Sequence, residues 1–315
     1  MPDGQHLQWG AEALWEQLEP LLPGISVEVV ARTESTNTRL LDRARQHSGL
    51  RDAPVTRPGQ IDDGSQPADA PSPYGRRAVD THPCLLVAEH QTRGRGRLGR
   101  DWQAAPGRSL TFSLSLPLAP RDWSGLSLAV GLAVADALDP PSDPLGDAAT
   151  ATLPRIGLKW PNDLWLLDAP GSPVPGRKLG GILIETVAVG SRRMCVVGVG
   201  VNVLPQAATE GMSSGFACLQ ELHPDATAPA ALAAVAAPLV RTLRRFESEG
   251  FAPLVTGYAR RDLLLGRAVS TTAPDALEGV AEGVDERGAL RVRSGTLHSL
   301  VSGEVSVRLQ DGAAC

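Results

Sequence analysis

Of the 30 basic residues in this 315-residue chain, only Lys159 and Lys178 are lysines; the other 28 are arginines. A compact ammonium and a planar guanidinium are not interchangeable, so two lysines within twenty residues of each other, in so arginine-biased a chain, mark places where a point charge is wanted. Lys159 opens Lys159-Trp160-Pro161-Asn162-Asp163, which interrupts the apolar run Ile156–Leu167. Unpaired polar groups lose roughly 1–3 kcal/mol on burial, so packing alone does not explain three polar residues there. A proline inside a strand implies an edge or a bulge, a device that aims side chains at a site. Lysine can neutralise a phosphate, and an aspartate can hold Mg²⁺ while a nucleotide's oxygens supply other ligands. An irregular edge strand with a solvated charge pair is the alternative.

Lys178 lies in Arg177-Lys178-Leu179-Gly180-Gly181-Ile182-Leu183-Ile184-Glu185, where a basic pair leads into a glycine doublet and a strand. At a strand start its ammonium could face the same ligand; a hairpin turn with incidental charge would read similarly. Upstream, Gly94-Arg95-Gly96-Arg97-Leu98-Gly99-Arg100 precedes Trp102. Glycines bring backbone N–H groups close to a ligand, arginine forks suit phosphates and carboxylates, and an indole offers a face to a purine or a guanidinium. The same segment fits an arginine-glycine RNA contact or a flexible loop. Gly198-Val199-Gly200-Val201-Asn202-Val203 is a strand of small residues with one amide. Its glycines permit close approach of a ligand or backbone, but the spacing is wrong for a dinucleotide fingerprint and no helix start follows.

These segments need a scaffold. Residues 7–22 have helical apolar spacing ended by Pro23-Gly24, Ile25–Ala31 reads as a strand, and Ser35-Thr36-Asn37-Thr38 is a helix N-cap. Cys84–Glu89 and Ser109–Leu118 are strands flanking the arginine-glycine loop, and Gly125–Leu138 is a buried helix. Ile156–Leu167, Leu179–Val189 and Met194–Val203 are further strands, Pro229–Glu249 is an amphipathic helix, and Ala252–Leu265 reads as another. Residues 48–81, rich in Pro, Asp, Gly and Ser, read as a disordered insertion, and Pro140–Pro154 as a loop. From Gly266 to Leu309 short glycine-punctuated β runs suggest a small barrel-like appendage, giving domains at 1–265 and 266–315.

Composition narrows the classes. A hydrophobic fraction of 42% and a charged fraction of 21% are ordinary for a soluble protein. No stretch is long and apolar enough to span a bilayer, and the acidic first twenty residues suit neither secretion nor transit signals, so a cytoplasmic protein is expected. A net charge of −5 argues against a general nucleic-acid binder. Cys84, Cys195, Cys218 and Cys315 are scattered, as are the six histidines, which favours reduced thiols over disulfides or a histidine-built metal site.

Taken in order, the segments 35–38, 88–102, 159–163, 177–185 and 198–202, with Gly303–Arg308 at the end, resemble the biotin–protein ligase family. The resemblance implies an α+β fold: a mixed sheet with flanking helices like that of class II aminoacyl-tRNA synthetases, followed by an SH3-like barrel. It implies that Ser35, Thr36, Asn37, Gln91, Gly94, Arg95, Gly96, Arg97 and Lys178 contact biotin or its adenylate. Trp102, Lys159, Asn162 and Asn202 would face ATP, and Asp163 would meet Mg²⁺ through the phosphates. The implied reaction joins biotin and ATP into biotinyl-5′-AMP, with Lys178, Arg95 and Arg97 stabilising the phosphoryl charge. Biotin then passes to a lysine of the biotin carboxyl carrier protein of acetyl-CoA carboxylase, an amine that Asp163 would orient. Leu98 departs from members with another arginine there, which puts loop ordering in question. Only 34 residues precede Ser35, so a monofunctional ligase without a DNA-binding domain is expected. The rivals are a lipoate–protein ligase or octanoyltransferase of the same fold, and a non-catalytic RNA-binding module.

Overall fold

In the computed structural model the described residues are 7–48, 81–102, 106–141, 153–168, 175–206, 215–272, 277–301 and 307–309. The insertion read at 48–81, most of the 140–154 loop and most of the turn at 169–176 lie outside them. Two sheets organise the chain. The larger has seven strands, β1 (Ser26–Thr33), β2 (Cys84–Gln91), β5 (Ser109–Pro117), β9 (Arg192–Asn202), β8 (Gly176–Val189), β7 (Asp163–Leu167) and β6 (Ile156–Lys159), in that spatial order. β1 and β2 are parallel, with Ser26 opposite Cys84 and Thr33 opposite Gln91, and every other pair is antiparallel. The sheet is therefore mixed, as expected. A two-stranded ribbon, β3 (Gly94–Arg95) and β4 (Asp101–Trp102), projects from the β2–β5 connection.

Side-chain alternation assigns the two faces. Leu110, Phe112, Leu114 and Leu116 of β5, and Val197, Val199 and Val201 of β9, join one large core with helices α1 (Ala11–Leu18), α3 (Leu126–Leu138) and α4 (Ala228–Glu249). Helix α3 is apolar nearly all round, and ten of its residues are buried, as a helix enclosed by sheet and neighbours requires. It starts at Gly125 with φ 79°, where a Cβ would lie 2.6 Å from the Phe251 ring. On the opposite face, among the described residues, α2 (Thr36–Ser48) packs through Leu40 and Leu41 against Leu86 and Val196. Thr227 caps α4 by accepting from Ala230 N at 3.3 Å, and Ser35 Oγ accepts from Thr38 N at 3.4 Å to cap α2.

Several sequence expectations need correction. The run Ile156–Leu167 is not one strand but the hairpin β6–β7, with Lys159 opposite Asp163 and a tight turn through Trp160, Pro161 and Asn162. The Trp160–Pro161 peptide is cis. The first helix covers only Ala11–Leu18, because Gly10 is left-handed at its start and Pro20 follows its end. Ala252–Leu265 forms a single 3₁₀ turn and the short α5 (Val255–Ala259) before losing helicity. There the backbone pairs instead with the edge of β6: Leu158 N donates to Arg261 O at 2.7 Å and Leu263 N to Leu158 O at 2.9 Å. Lys178 sits inside β8 rather than at its start, beside a bulge at which the register with β7 shifts.

The smaller sheet is antiparallel, in the order β13 (Thr296–Leu300), β12 (Leu290–Ser294), β11 (Glu278–Val284), β10 (Ala268–Thr271), β14 (Val307–Leu309). Among the described residues no helix is long and apolar enough to cross a membrane.

Candidate active site

The face of the large sheet left open by α2 forms the floor of a cavity of about 920 Å³. On β9 the floor residues are Gly198 and Gly200, and a side chain at either would meet the residue packed over it. A Cβ on Gly198 would sit 2.3 Å from Asn37 Oδ1, and one on Gly200 would sit 2.5 Å from the Trp102 indole. Asn37 arrives on the first turn of α2, where it is buried and fully engaged. Its Nδ2 donates to Leu183 O at 3.2 Å and to Glu185 Oε2 at 3.1 Å, and its Oδ1 lies 2.6 Å from Ser113 Oγ. Ser113 Oγ is also 2.6 Å from Thr36 Oγ1. Gln91 Oε1 accepts from Thr36 N at 2.7 Å and from Thr36 Oγ1 at 3.1 Å. Ser35, Thr36, Asn37 and Gln91 are all buried polar residues on one wall. Such a satisfied network holds its members in one arrangement, ready to read a small polar ligand.

The opposite wall carries positive charge. Lys178 Nζ lies 2.7 Å from Asp163 Oδ1 across the β7–β8 pair. That bond uses one of the three N–H donors of an ammonium, fixing its position while leaving charge and donors for an anion. Arg97 Nη1 donates to Asn162 Oδ1 at 3.4 Å, and burial holds its guanidinium below its ordinary pKa despite the nearby Asp163 carboxylate. Asn162 is anchored in turn: its Nδ2 donates to Ile182 O at 2.8 Å. Arg95 is more exposed and pairs with Glu185 at 3.0 Å and Thr38 Oγ1 at 3.2 Å. Burial also lowers the pKa of Lys159, whose Nζ donates to Val307 O at 2.8 Å and lies 5.5 Å from the Trp165 ring centroid. Arg95, Arg97, Lys159 and Lys178, drawn from three separate stretches of chain, thus border one cavity.

A polar wall facing a cationic one suits a neutral ligand whose acid group is to be joined to a phosphate, and known proteins carry the same arrangement of segments. Residues 80–202 match the biotin/lipoate A/B protein ligase family, and residues 264–308 match the biotin protein ligase C-terminal domain. The biotin–[acetyl-CoA-carboxylase] ligase of Mycobacterium tuberculosis is 31% identical over 318 residues, covering 96% of this chain and 92% of its own length. The bifunctional ligase/repressor BirA of Escherichia coli is 30% identical over 299 residues, covering 93% of this chain and 77% of its own. The chain belongs to the biotin protein ligase family. It is, accordingly, an enzyme. A solved biotin protein ligase from Aquifex aeolicus, in complex with biotin and ATP, has the same fold: TM-score 0.62 at 24% identity, covering 90% of this chain and 99% of that one.

Within this biotin protein ligase fold, Ser35, Thr36, Asn37, Gln91, Arg95, Gly96, Arg97, Trp102, Lys159, Asn162, Asp163 and Lys178 all line the cavity. Two residues named from the sequence do not. Gly94 lies behind the loop, where a Cβ would strike Trp102 O at 2.4 Å. Asn202 is buried and turns its amide to Ala217 O at 3.1 Å and Lys178 O at 3.5 Å, so it braces the backbone of the Lys178 segment. The Trp102 indole lies over Gly200, and its buried Nε1 has no hydrogen-bond partner among the described residues. Sequence reasoning missed Ser113 and Glu185, which hold Asn37 and Arg95 in place. Glu185 carried a signal as an acid at the end of an apolar strand, and Ser113 as a hydroxyl in the alternating Ser-Leu-Thr-Phe-Ser-Leu run.

Proposed function

We propose that the chain forms biotinyl-5′-AMP from biotin and ATP and then transfers biotin to a lysine of the biotin carboxyl carrier protein of acetyl-CoA carboxylase. The observation that carries this reading is the Lys178–Asp163 pair, 2.7 Å apart, beside Arg97 and facing the Thr36–Asn37–Gln91 wall across one cavity. Biotin's ring lies against the polar wall and its carboxylate points to Lys178. A carboxylate oxygen attacks the α-phosphorus of ATP, the bond to the bridging oxygen breaks, and pyrophosphate leaves. Charge grows on the phosphoryl oxygens, and preorganised cations are the main catalytic resource for it. Lys178 contacts both the carboxylate and the α-phosphate; Arg97 and Arg95 cover the anion from the loop side. Trp102 offers its face to the adenine, while Asn162 sets the turn and Asn202 the backbone behind Lys178.

Magnesium enters with the nucleotide as part of the substrate. Mg²⁺ characteristically binds through one or two carboxylates plus phosphate oxygens and water, and Asp163 is one carboxylate at the right wall. Among the described residues no cluster of three His, Cys, Asp or Glu side chains could hold a metal. In the second step the acceptor amine attacks the acyl carbon of the mixed anhydride and AMP departs. Asp163 orients that amine and takes up its proton. We also read the boundary between catalytic and C-terminal domains at 265/266, the larger sheet as class II synthetase-like, the smaller as an SH3-like barrel, and the site of action as the cytoplasm.

The test is ATP-dependent transfer of biotin to a purified carrier domain, run beside lipoate. Transfer of biotin alone supports the reading. Adenylation of lipoate, with biotin left untouched, would replace it with a lipoate ligase.

A further inference from the structure

Lys159 is the second of the two lysines, yet its amine does not join Lys178 and Asp163. It ends β6, crosses to the smaller sheet and donates to the backbone carbonyl of Val307 at 2.8 Å, with the Trp165 ring on its flank. Among the described residues Val307, Arg308 and Leu309 form β14, at the edge of the smaller sheet and paired with β10. All three line the catalytic cavity. The same β6–β7 turn holds the smaller sheet at a second point, where Trp160 Nε1 donates to Gly288 O at 3.1 Å. The charges beside the Lys159 amine are Lys178, Arg100 and Arg308, with Asp163 the one carboxylate among its electrostatic partners. The acceptor that repays its burial is therefore a main-chain carbonyl, and mutation of a neighbouring acid would not release it.

We propose that Lys159 is a positioning residue that latches β14 onto the catalytic turn, making the C-terminal sheet a wall of the nucleotide site. This rests on the ligase reading above for its substrate but not for its geometry. With the latch closed, Arg308 is held at the cavity edge and the nucleotide's anionic end meets a complete wall. Without it, β14 lifts from the turn while the Thr36–Asn37–Gln91 wall, built on β2, β5 and α2, stays intact. Nucleotide binding and β14 docking are then linked, so each strengthens the other by the same factor.

Hydrogen exchange on the full-length, ligand-free chain tests this directly. In Lys159→Met the amides of Val307–Leu309 should exchange about tenfold faster than in wild type, and KM for ATP should rise about tenfold, within the usual range of such couplings. The affinity for biotin and kcat at saturating ATP should stay within about twofold, a change too small to count as coupling. Lys159→Arg, which keeps a cationic donor, should restore much of the protection and the KM. If Lys159→Met unfolds, Lys159→Leu, which likewise lacks an N–H donor, is read in the same way. Unchanged exchange at 307–309 in a folded variant, with KM for ATP raised, would overturn the latch and make Lys159 a direct phosphate ligand. Faster exchange at 307–309 in Lys159→Met, together with a wild type that transfers no biotin, would leave the latch standing and remove the ligase reading instead.

Discussion

Gly198→Ala is the sharpest perturbation the cavity floor offers. The added methyl would lie 2.3 Å from Asn37 Oδ1, 2.9 Å from its Cγ and 3.2 Å from its Nδ2. Relief requires the Asn37 amide to retreat by about 1 Å, since carbon–oxygen contacts do not close much below 3 Å. The amide has nowhere to go. It is buried, 2.6 Å from Ser113, 3.2 Å from Leu183 O and 3.1 Å from Glu185. A shift of that size takes these bonds past useful length, at a net loss of about 1 kcal/mol each, to which overpacking adds a comparable amount. A destabilisation of about 4 kcal/mol or more is expected, and a fall in Tm of roughly 8 °C or more, at 2–4 °C per kcal/mol for a chain approaching this size. Biotin affinity, measured by calorimetry, should drop at least about tenfold, which corresponds to only 1.4 kcal/mol. Gly200→Ala is the control. Its methyl meets the Trp102 indole at 2.5 Å, and that ring rides on a two-residue strand at the end of a loop that can yield. Stability should change by less than about 1 kcal/mol, while nucleotide affinity falls. A Gly198→Ala protein with native Tm and native biotin affinity would refute the reasoning, because Asn37 would then be neither locked nor part of the biotin wall.

Other predictions follow from the same coordinates. Lys178→Ala should lower biotin-dependent pyrophosphate exchange by a hundred- to thousandfold or so, the usual loss for one preorganised charge donor; near-normal exchange would remove it from the chemistry. Arg97→Ala should speed release of the adenylate about ten- to a hundredfold, the loss of one charged hydrogen bond of roughly 1.5–3 kcal/mol, and unchanged retention in a trapping assay would count against Arg97 covering the anion. Asp262 has one oxygen on Leu264 N at 2.9 Å and a buried second oxygen without a partner, and burial pushes its carboxyl up to about 6 from 3.8. Because the folded-state value is raised, its contribution is complete below about pH 4 and is lost as pH rises through 6, by about 3 kcal/mol in all. Urea unfolding should therefore show wild type losing stability relative to Asp262→Asn between about pH 4 and 6 and running parallel to it above that; parallel pH profiles throughout would show that this carboxyl titrates normally.

What the sequence disclosed, and what it withheld, follows from the range of the interactions involved. Periodicity located α3, α4 and the strands of the large sheet because those signals repeat locally. It could not separate a strand interrupted at Pro161 from a hairpin turning there, since either explains a proline amid apolar residues. Residues Arg261–Leu263 look helical by spacing, but the unpaired edge of β6, a hundred residues earlier, takes their backbone hydrogen bonds. The arginine-glycine loop, Lys178 and Asp163 were legible as chemistry because their types are costly to bury without a purpose. Asn202 looked equally purposeful, yet its partners are the carbonyls of Lys178 and Ala217, a pairing set by the register of β8 against β9. Lys159 stands out in the sequence as one of two lysines, but nothing in its own segment points to Val307, 148 positions away.

The central strands show how one sheet serves two purposes. Along β9 the side chains read Val197, Gly198, Val199, Gly200, Val201, Asn202, and along β5 Leu110, Thr111, Phe112, Ser113, Leu114, Ser115. With a period of two, every large residue of both series falls on the face covered by α1, α3 and α4. Every small or polar one falls on the other. Valine at 198 or leucine at 113 would extend the core of α2 across this second face and bury more apolar area, about 25 cal/mol for each Å². The chain forgoes that stabilisation over a patch bounded by Gly198, Gly200, Gly181 and Ser113. The result is a floor whose apolar stabilisation comes mainly from the packed side beneath it. Binding residues on the open side are then free to be chosen for chemistry, provided that each finds a partner, and the Thr36–Gln91, Asn37–Ser113 and Lys178–Asp163 pairs supply those partners. Substitutions on the packed face should therefore act through stability, and those on the open face through ligand affinity. Gly198 is the exception on which both must register, because its missing side chain is what lets the two layers touch.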